Sequence, residues 1–231
     1  MSSLALLAKE NLRQVKRVIC FASGKGGVGK SVLCCASALR LGSERVGVLD
    51  LDLHGSSVPS ILGVSGIPRE EKGLLPVEGR GVKVFSMGLL FDTCPLLGPE
   101  ISEALLEILA IVRWGELDFL LVDLPPGLGE EIFDLVPFRP KFVVVVTPSV
   151  LAWETARKLL HLLRRARAEI LGVVENMCTG GPRWRGEVAR MGLKHSWVGF
   201  DPQVEASLGE GFPPQKLSAD VGRMLSELGV W

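Results

Sequence analysis

The chain has 231 residues, 47% of them hydrophobic and 23% charged, with 26 basic side chains balancing 26 acidic ones. A globular chain of this size buries about 70% or more of its unfolded surface, and a net charge of zero gives no global field to draw it onto nucleic acid or an anionic membrane. Its opening, MSSLALLAKENLRQVKR, lacks the basic-then-apolar order of a secretory signal, and its longest apolar runs are far too short to span a bilayer, so a cytoplasmic location is expected.

In chain order, residues 1–16 read as a helical extension, followed by a buried strand, RVICFAS (17–23), a glycine-rich loop and a helix over 31–41. RVGVLDLD (45–52) and GVKVFSMG (81–88) are further strands, and 99–112 has apolar positions at helical spacing with Pro99 at its start. LDFLLVDLPPG (117–127) is a strand ended by proline and glycine, and KFVVVVTPS (141–149) is another, leading into a helix over 151–167. AEILGVVENM (168–177) and HSWVGFDP (195–202) complete the strands, and 216–228 is a closing helix. Continuous Val/Ile/Leu runs, rather than apolar–polar alternation, mean strands covered on both faces. The expected fold is therefore α/β, one domain over 1–231 with a mostly parallel central sheet and helices on both sides. The turn-rich stretches 54–81 and 178–186 read as embellishments, and the arginines of 157–167 as the solvated face of a helix whose leucines point to the core.

The loop carries the chemistry. GKGGVGKS, Gly24 to Ser31, fits G-x-x-x-x-G-K-[ST] between a strand and a helix, the context in which backbone N–H groups and a helix N-terminus cradle phosphates. Lys30 is expected to reach the β and γ phosphates of a nucleotide and Ser31 to ligate Mg²⁺. Acidic partners at neighbouring strand ends are Asp123, in LLVDLPPG, and the pair Asp50 and Asp52, in VLDLDLHG. On a strand the latter two would point the same way. One holds the metal side and the other orients a water. Gly127 is placed to offer its N–H to a γ-phosphate. Five cysteines (Cys20, Cys34, Cys35, Cys94, Cys178) contain no C-x-x-C, and an odd count argues against a disulfide framework. His54 and His195 show no metal-ligand spacing.

SGKGGVGKS, with a second lysine just after the first glycine, resembles the deviant Walker A loop of the MinD/ParA class of P-loop ATPases. DLDLHGSSVPSILG (50–63), LDFLLVDLPPGLGEE (117–131), VVTPSVLAWETARK (145–158), GVVENM (172–177) and the later GFDPQVEAS and GEGFPP further resemble the Mrp/ApbC family of iron–sulfur carrier ATPases. The resemblance implies a homodimer that closes on two ATP molecules and hydrolyses them slowly. Lys25 would reach the phosphates bound by the other subunit and Asp52 would orient the attacking water. It also implies nucleotide contacts from Gly24, Gly26, Gly27, Val28, Gly29 and Val32, with Asn176 reading the adenine edge and Asp201-Pro202 closing over the base. Iron–sulfur apoproteins or scaffolds are the implied clients. The chain departs from the family where its C-x-x-C is expected, after ENM, leaving Cys178 as a cluster ligand with Cys94 as an additional candidate. A cluster normally takes four ligands. The competing readings are a MinD/ParA-like positioning ATPase, for which SADVGRMLSELGVW would be an amphipathic membrane helix, and a regulatory nucleotide switch.

Overall fold

The computed structural model describes residues 3–42, 45–52, 55–90, 99–127, 129 and 131–231. A short helix α1 (Ser3–Asn11) precedes strand β1 (Val15–Ala22), the glycine-rich loop and α2 (Lys30–Arg40). Then come β2 (Val46–Asp50), α3 (Val58–Leu62), a two-stranded hairpin β3 (Arg69–Glu70) and β4 (Leu74–Leu75), and the strands β5 (Val77–Gly79) and β6 (Val82–Ser86). The second half runs α4 (Pro99–Ile111), β7 (Leu117–Asp123), α5 (Glu131–Leu135), β8 (Lys141–Val146), α6 (Val150–Arg165), β9 (Glu169–Cys178), α7 (Arg185–Arg190), β10 (His195–Gly199), α8 (Val204–Ser207) and α9 (Gln215–Leu228).

Eight strands form one sheet in the order β10-β9-β8-β1-β7-β2-β6-β5. All its pairings are parallel except β5 with β6, which is antiparallel and lies at the edge. This is the mostly parallel α/β sheet expected from the uninterrupted apolar runs. Val143 to Val146 of β8 and Leu120 to Val122 of β7 are buried, which only a strand covered on both faces allows. The cores lie on opposite faces of the sheet. One takes the inward side of α4 and α6, the other that of α2, α3 and α9. Helix α6 turns Leu159, Leu160 and Leu163 inward, each contributing about 1.5–3 kcal/mol of burial. Its Arg157, Lys158, Arg164 and Arg165 stay exposed, as the leucine spacing requires.

Several elements escape the sequence pattern. The 54–81 stretch contains α3, the β3–β4 hairpin and the edge strand β5, pieces too short to show a period. The hairpin is defined from outside: the Arg113 N–H donates to Leu74 O at 2.8 Å. The N-terminal helix ends sooner than the expected 1–16 extension, because Val15 already pairs with Leu117 in the sheet. The Asn11 side-chain amide donates to the carbonyls of Leu109, Ala110 and Val112, so α1 supplies donors that the last turn of α4 lacks. Helix α9 buries Leu217, Val221, Met224, Leu225 and Leu228 in the core, so its apolar face is already covered. Among the described residues no helix is long and apolar enough to cross a membrane.

Candidate nucleotide site

Strand β1 lies between β7 and β8, and the chain leaves its C-terminal end as the loop 23–29. In an open parallel sheet this is where strand order reverses and a crevice opens for a ligand. A cavity of about 340 Å³ is lined there by the loop from Gly26 to Val32 and by Asp52, Pro126 and α8. Close approaches explain two of the glycines. A Cβ on Gly24 would lie 2.5 Å from the carbonyl carbon of Thr155, so the loop rests directly on the α6 backbone. A Cβ on Gly29 would lie 2.3 Å from Nδ2 of Asn176.

The two lysines have opposite environments. Lys30 is buried at the first turn of α2, and its Nζ donates to Oδ1 of Asp123 at 2.5 Å. Lys25 is exposed and has no hydrogen bond or ion pair among the described residues. Asp123 is fully buried at the end of β7, and burial raises its pKa against the opposing pull of the Lys30 ammonium and the Ser31 hydroxyl. Its second oxygen, Oδ2, is buried without a partner. A buried carboxylate oxygen without a donor, beside a serine hydroxyl, is a donor set that suits Mg²⁺ and its water shell.

Asp50 sits beside Asp123 in register on the neighbouring strand. Its carboxylate accepts from Ser56 Oγ at 2.7 Å, Ser86 Oγ at 3.0 Å and the Asp52 N–H at 3.0 Å. Burial, then the negative charge of Asp123, pushes its pKa up to about 6 despite these donors. Asp52 lies beyond the end of β2 at Asp50 and is less buried than Asp50. Its Oδ1 accepts from the Gly55 N–H at 3.0 Å, and the side chain lines the loop's cavity. Asp50 therefore lies behind the site and Asp52 within it.

The remaining expected contacts fall in mixed positions. The Gly127 N–H donates to Ser23 O at 2.9 Å, so here it serves the loop's own backbone. Asn176 is buried with Nδ2 donating to Val28 O at 2.9 Å, which ties the end of β9 to the loop. Asp201 accepts the Gln203 N–H through Oδ1 and keeps Oδ2 buried without a partner. Pro202 is exposed, and the α8 residues Val204 and Glu205 line the cavity in place of the Asp201-Pro202 pair.

Cys178 is 4% exposed, its Sγ donates to Glu175 O at 3.4 Å, and burial pushes the thiol up to about 12. Ligation would have to displace that proton and free the buried sulfur, and Cys178 is one ligand where a cluster normally takes four. Cys20, Cys34 and Cys35 are buried elsewhere, and no group of three or more His, Cys, Asp or Glu side chains among the described residues could hold a metal ion. Cys94 and His54 lie outside the described residues. Within one chain the described cysteines do not assemble a cluster's ligand set.

What fills the place after ENM is the turn-rich stretch 178–186, held by an anchor that the sequence did not reveal. Glu175 is fully buried and its carboxylate accepts from the N–H groups of Arg183 and Trp184, at 2.8 and 2.9 Å, and from His195 Nε2 at 3.4 Å. Burial raises the Glu175 pKa, but the donors from His195, Trp184 and Arg183 together leave it below the usual carboxylate value. Trp184 stacks on Trp153 with centroids 5.3 Å apart, and its Nε1 donates to Thr147 O. The available signal was strand alternation: Glu175 and Asn176 are neighbours on β9 and must face opposite sides.

The sequence matches the family described as ParA, NUBPL iron-transfer P-loop NTPase, over residues 14–187. The chain belongs to this family. It is 40% identical over 184 residues to an iron-sulfur cluster carrier protein of Saccharolobus solfataricus, covering 74% of this chain and 62% of that one. It is 41% identical over 177 residues to one from Pseudomonas fragi, covering 72% and 62%. The chain thus spans less than two thirds of the length of these relatives. Among solved structures, a nucleotide-binding protein from Archaeoglobus fulgidus in complex with ADP superposes with a TM-score of 0.72 at 31% identity, over 95% of this chain and 91% of that one. The cell division ATPase MinD of Pyrococcus furiosus shares the fold, with a TM-score of 0.66 at 21% identity over 92% and 99% of the two chains.

Proposed function

We propose that the chain is an ATP-binding, Mg²⁺-dependent and slowly turning-over ATPase that works as a homodimer in iron–sulfur cluster assembly in the cytoplasm. The observation that carries this reading is the contrast between the lysines: Lys30 is committed to its own chain through Asp123, while Lys25 stands exposed on the loop with no partner. Lys30 uses one of its three donors on Asp123, leaving two for β- and γ-phosphate oxygens. Ser31, Asp123 and, from behind, Asp50 would hold Mg²⁺ or its waters, and the metal would offset phosphate charge. Asp52, whose Oδ2 has no hydrogen bond among the described residues, would orient water on the γ-phosphorus. As the water oxygen bonds to phosphorus, the bond to the β–γ bridging oxygen breaks, ADP and phosphate leave, and the proton passes to phosphate. Lys25 from the second subunit would offset the charge on the transferring group. A Gly127 contact with the γ-phosphate would require its bond to Ser23 O to open, a nucleotide-dependent change in the loop after β7. Asn176 would read adenine while it braces Val28.

The buried Cys178 supports a refinement in which this chain serves cluster assembly without holding a cluster on the segment after ENM. Partners would then be iron–sulfur scaffolds or apoproteins rather than DNA or membrane, whose candidate helix α9 is packed into the core. The deciding experiment measures phosphate release and sedimentation with ATP for Lys25→Ala and Lys30→Ala. Lys25→Ala should bind nucleotide with near-normal affinity but lose hydrolysis and ATP-driven dimer closure, whereas Lys30→Ala should lose nucleotide binding. A Lys25→Ala protein that hydrolyses ATP normally as a monomer would overturn the proposal.

A further inference from the structure

A second cavity, of about 590 Å³, opens at the sheet edge and shares no lining residue with the nucleotide site. It is assembled from three pairings. Arg69 and Leu75 face each other across the β3–β4 hairpin, Glu78 and Lys83 across β5 and β6, and Arg113 follows Val112, which bridges to Leu74. All except Leu74 and Val112 line the cavity. Lys83 pairs in register with Gly47 near the start of β2, whereas Asp50, at the nucleotide end, pairs with Ser86. Three residues of strand separate those levels, about 10 Å.

The charge on this cavity is unbalanced. Three cations, Arg69, Lys83 and Arg113, line it with one carboxylate, Glu78, and none of the four is in an ion pair among the described residues. Lys83 is held by one bond, its Nζ donating to Trp114 O at 2.8 Å, which leaves two donors. Arg113 is seated by backbone: its N–H donates to Leu74 O, and its stem lies where a Cβ on Gly73 would come within 2.7 Å of Cγ. Gly73 has φ +132, a conformation that side-chain-bearing residues avoid, and a Cβ there would also meet Ile111 O at 2.5 Å, so both the Arg113 stem and the α4 backbone pack against a glycine. Arg69 and Arg113 are exposed and Lys83 is half-buried at this open cavity, so their charges can face an anion entering from solvent, and guanidinium forks match the oxygen pairs of carboxylates and phosphates. The volume is that of an ordinary small-molecule pocket, and Ile67, Leu75, Pro76 and Val77 add apolar wall for a carbon skeleton.

We propose that this cavity is a binding site for a small organic oxyanion with at least two negative charges, held by Arg69, Arg113 and Lys83 and independent of the nucleotide loop. Titration calorimetry on the full chain, with excess Mg-ADP present, tests it with two probes, tricarballylate for polycarboxylates and glycerol 2-phosphate for phosphate monoesters. At low salt at least one probe should bind with a dissociation constant below about 1 mM, weakening several-fold as the salt is raised. The probe that binds identifies the anion class, and binding of both indicates recognition by charge. The Arg69→Gln/Arg113→Gln protein should lose affinity at least tenfold, with an unchanged melting temperature, and Lys83→Gln should lose less. Lys30→Ala should bind the probe normally without nucleotide, so failure of the ATPase reading leaves this result standing. Absence of binding by either probe, or equal affinity in the double arginine variant, would overturn the proposal.

Discussion

Replacing Lys30 by methionine tests whether the pair beneath the loop has the character the structure gives it. Lys30 and Asp123 are 5% and 0% exposed and meet at 2.5 Å, and the other Asp123 oxygen has no partner. Taking away the ammonium leaves a carboxylate in a dry interior with only the Ser31 hydroxyl nearby, a change that costs about 3–5 kcal/mol. For a chain of this length that lowers the melting temperature by roughly 10 °C. Asp123 can relieve part of the cost by taking up a proton, so its pKa in the folded variant rises further. The folded state then binds a proton that the unfolded state releases, and the variant loses stability as pH rises and regains it on acidification. Lys30→Met/Asp123→Leu removes both charges and should recover most of the loss. Chemical denaturation of nucleotide-free protein between pH 5 and 8 (about the range where proteins are most stable) measures all three terms. A single variant as stable as the parent, or a double variant no better than the single, would show that Lys30 and Asp123 are not a buried pair.

The remaining expectations concern the loop and the turn after β9. Gly24→Ala should destabilise by about 2–3 kcal/mol and weaken nucleotide binding, because its Cβ meets Thr155 backbone at 2.5 Å; Gly26→Ala, whose nearest contact is 3.8 Å away, should leave the melting temperature unchanged. Glu175→Gln should cost about 2 kcal/mol at neutral pH, because an amide N–H₂ then faces backbone donors. The folded Glu175 pKa is depressed, so its contribution is present above the unfolded value and is lost as pH falls through the folded one. The gap between Glu175→Gln and the parent should therefore close in acid, and a gap that widens would contradict the hydrogen-bonding scheme. Native Cys178 should resist a thiol reagent until the protein is unfolded. Anaerobic reconstitution with iron and sulfide should leave the protein colourless, and iron that is retained by the parent but lost in Cys178→Ala would refute this.

How much of this was legible in the sequence depended on how local the determinant was. The loop from Gly24 to Ser31 declares itself because its function resides in consecutive residues between a strand and a helix, and the sheet does so because fully covered strands write continuous Val and Leu runs. Asp50 and Asp52 were read as a pair on one strand, and alternation gives no notice that β2 stops at Asp50. There Ser56, six residues on, and Ser86, from β6, both donate to the Asp50 carboxylate. Asn176 was recognised, but its bond to Val28 follows from how closely β9 passes the loop, which no single stretch encodes. The β3–β4 hairpin and β5 were invisible for the same reason. Two- and three-residue strands exist because tertiary neighbours complete their hydrogen bonds. The turn-rich character of 178–186 was legible, but its anchor was missed because a glutamate in an apolar strand shows its meaning only when its backbone donors come into view.

That turn also bears on protein engineering. A C-x-x-C built between residues 178 and 184 could start from Cys178, which is buried. Yet the Arg183 and Trp184 amides are both bound to a carboxylate rooted in β9, and the Trp184 ring is clasped by Trp153 from another helix. Thr179, Gly180 and Arg183 are exposed while Cys178 and Trp184 are buried, so a new thiolate could face outward where Cys178 does not. Regaining a metal-binding pair here is therefore a loop-remodelling problem, in which Cys178 has to be turned outward from a turn that Glu175 holds in place.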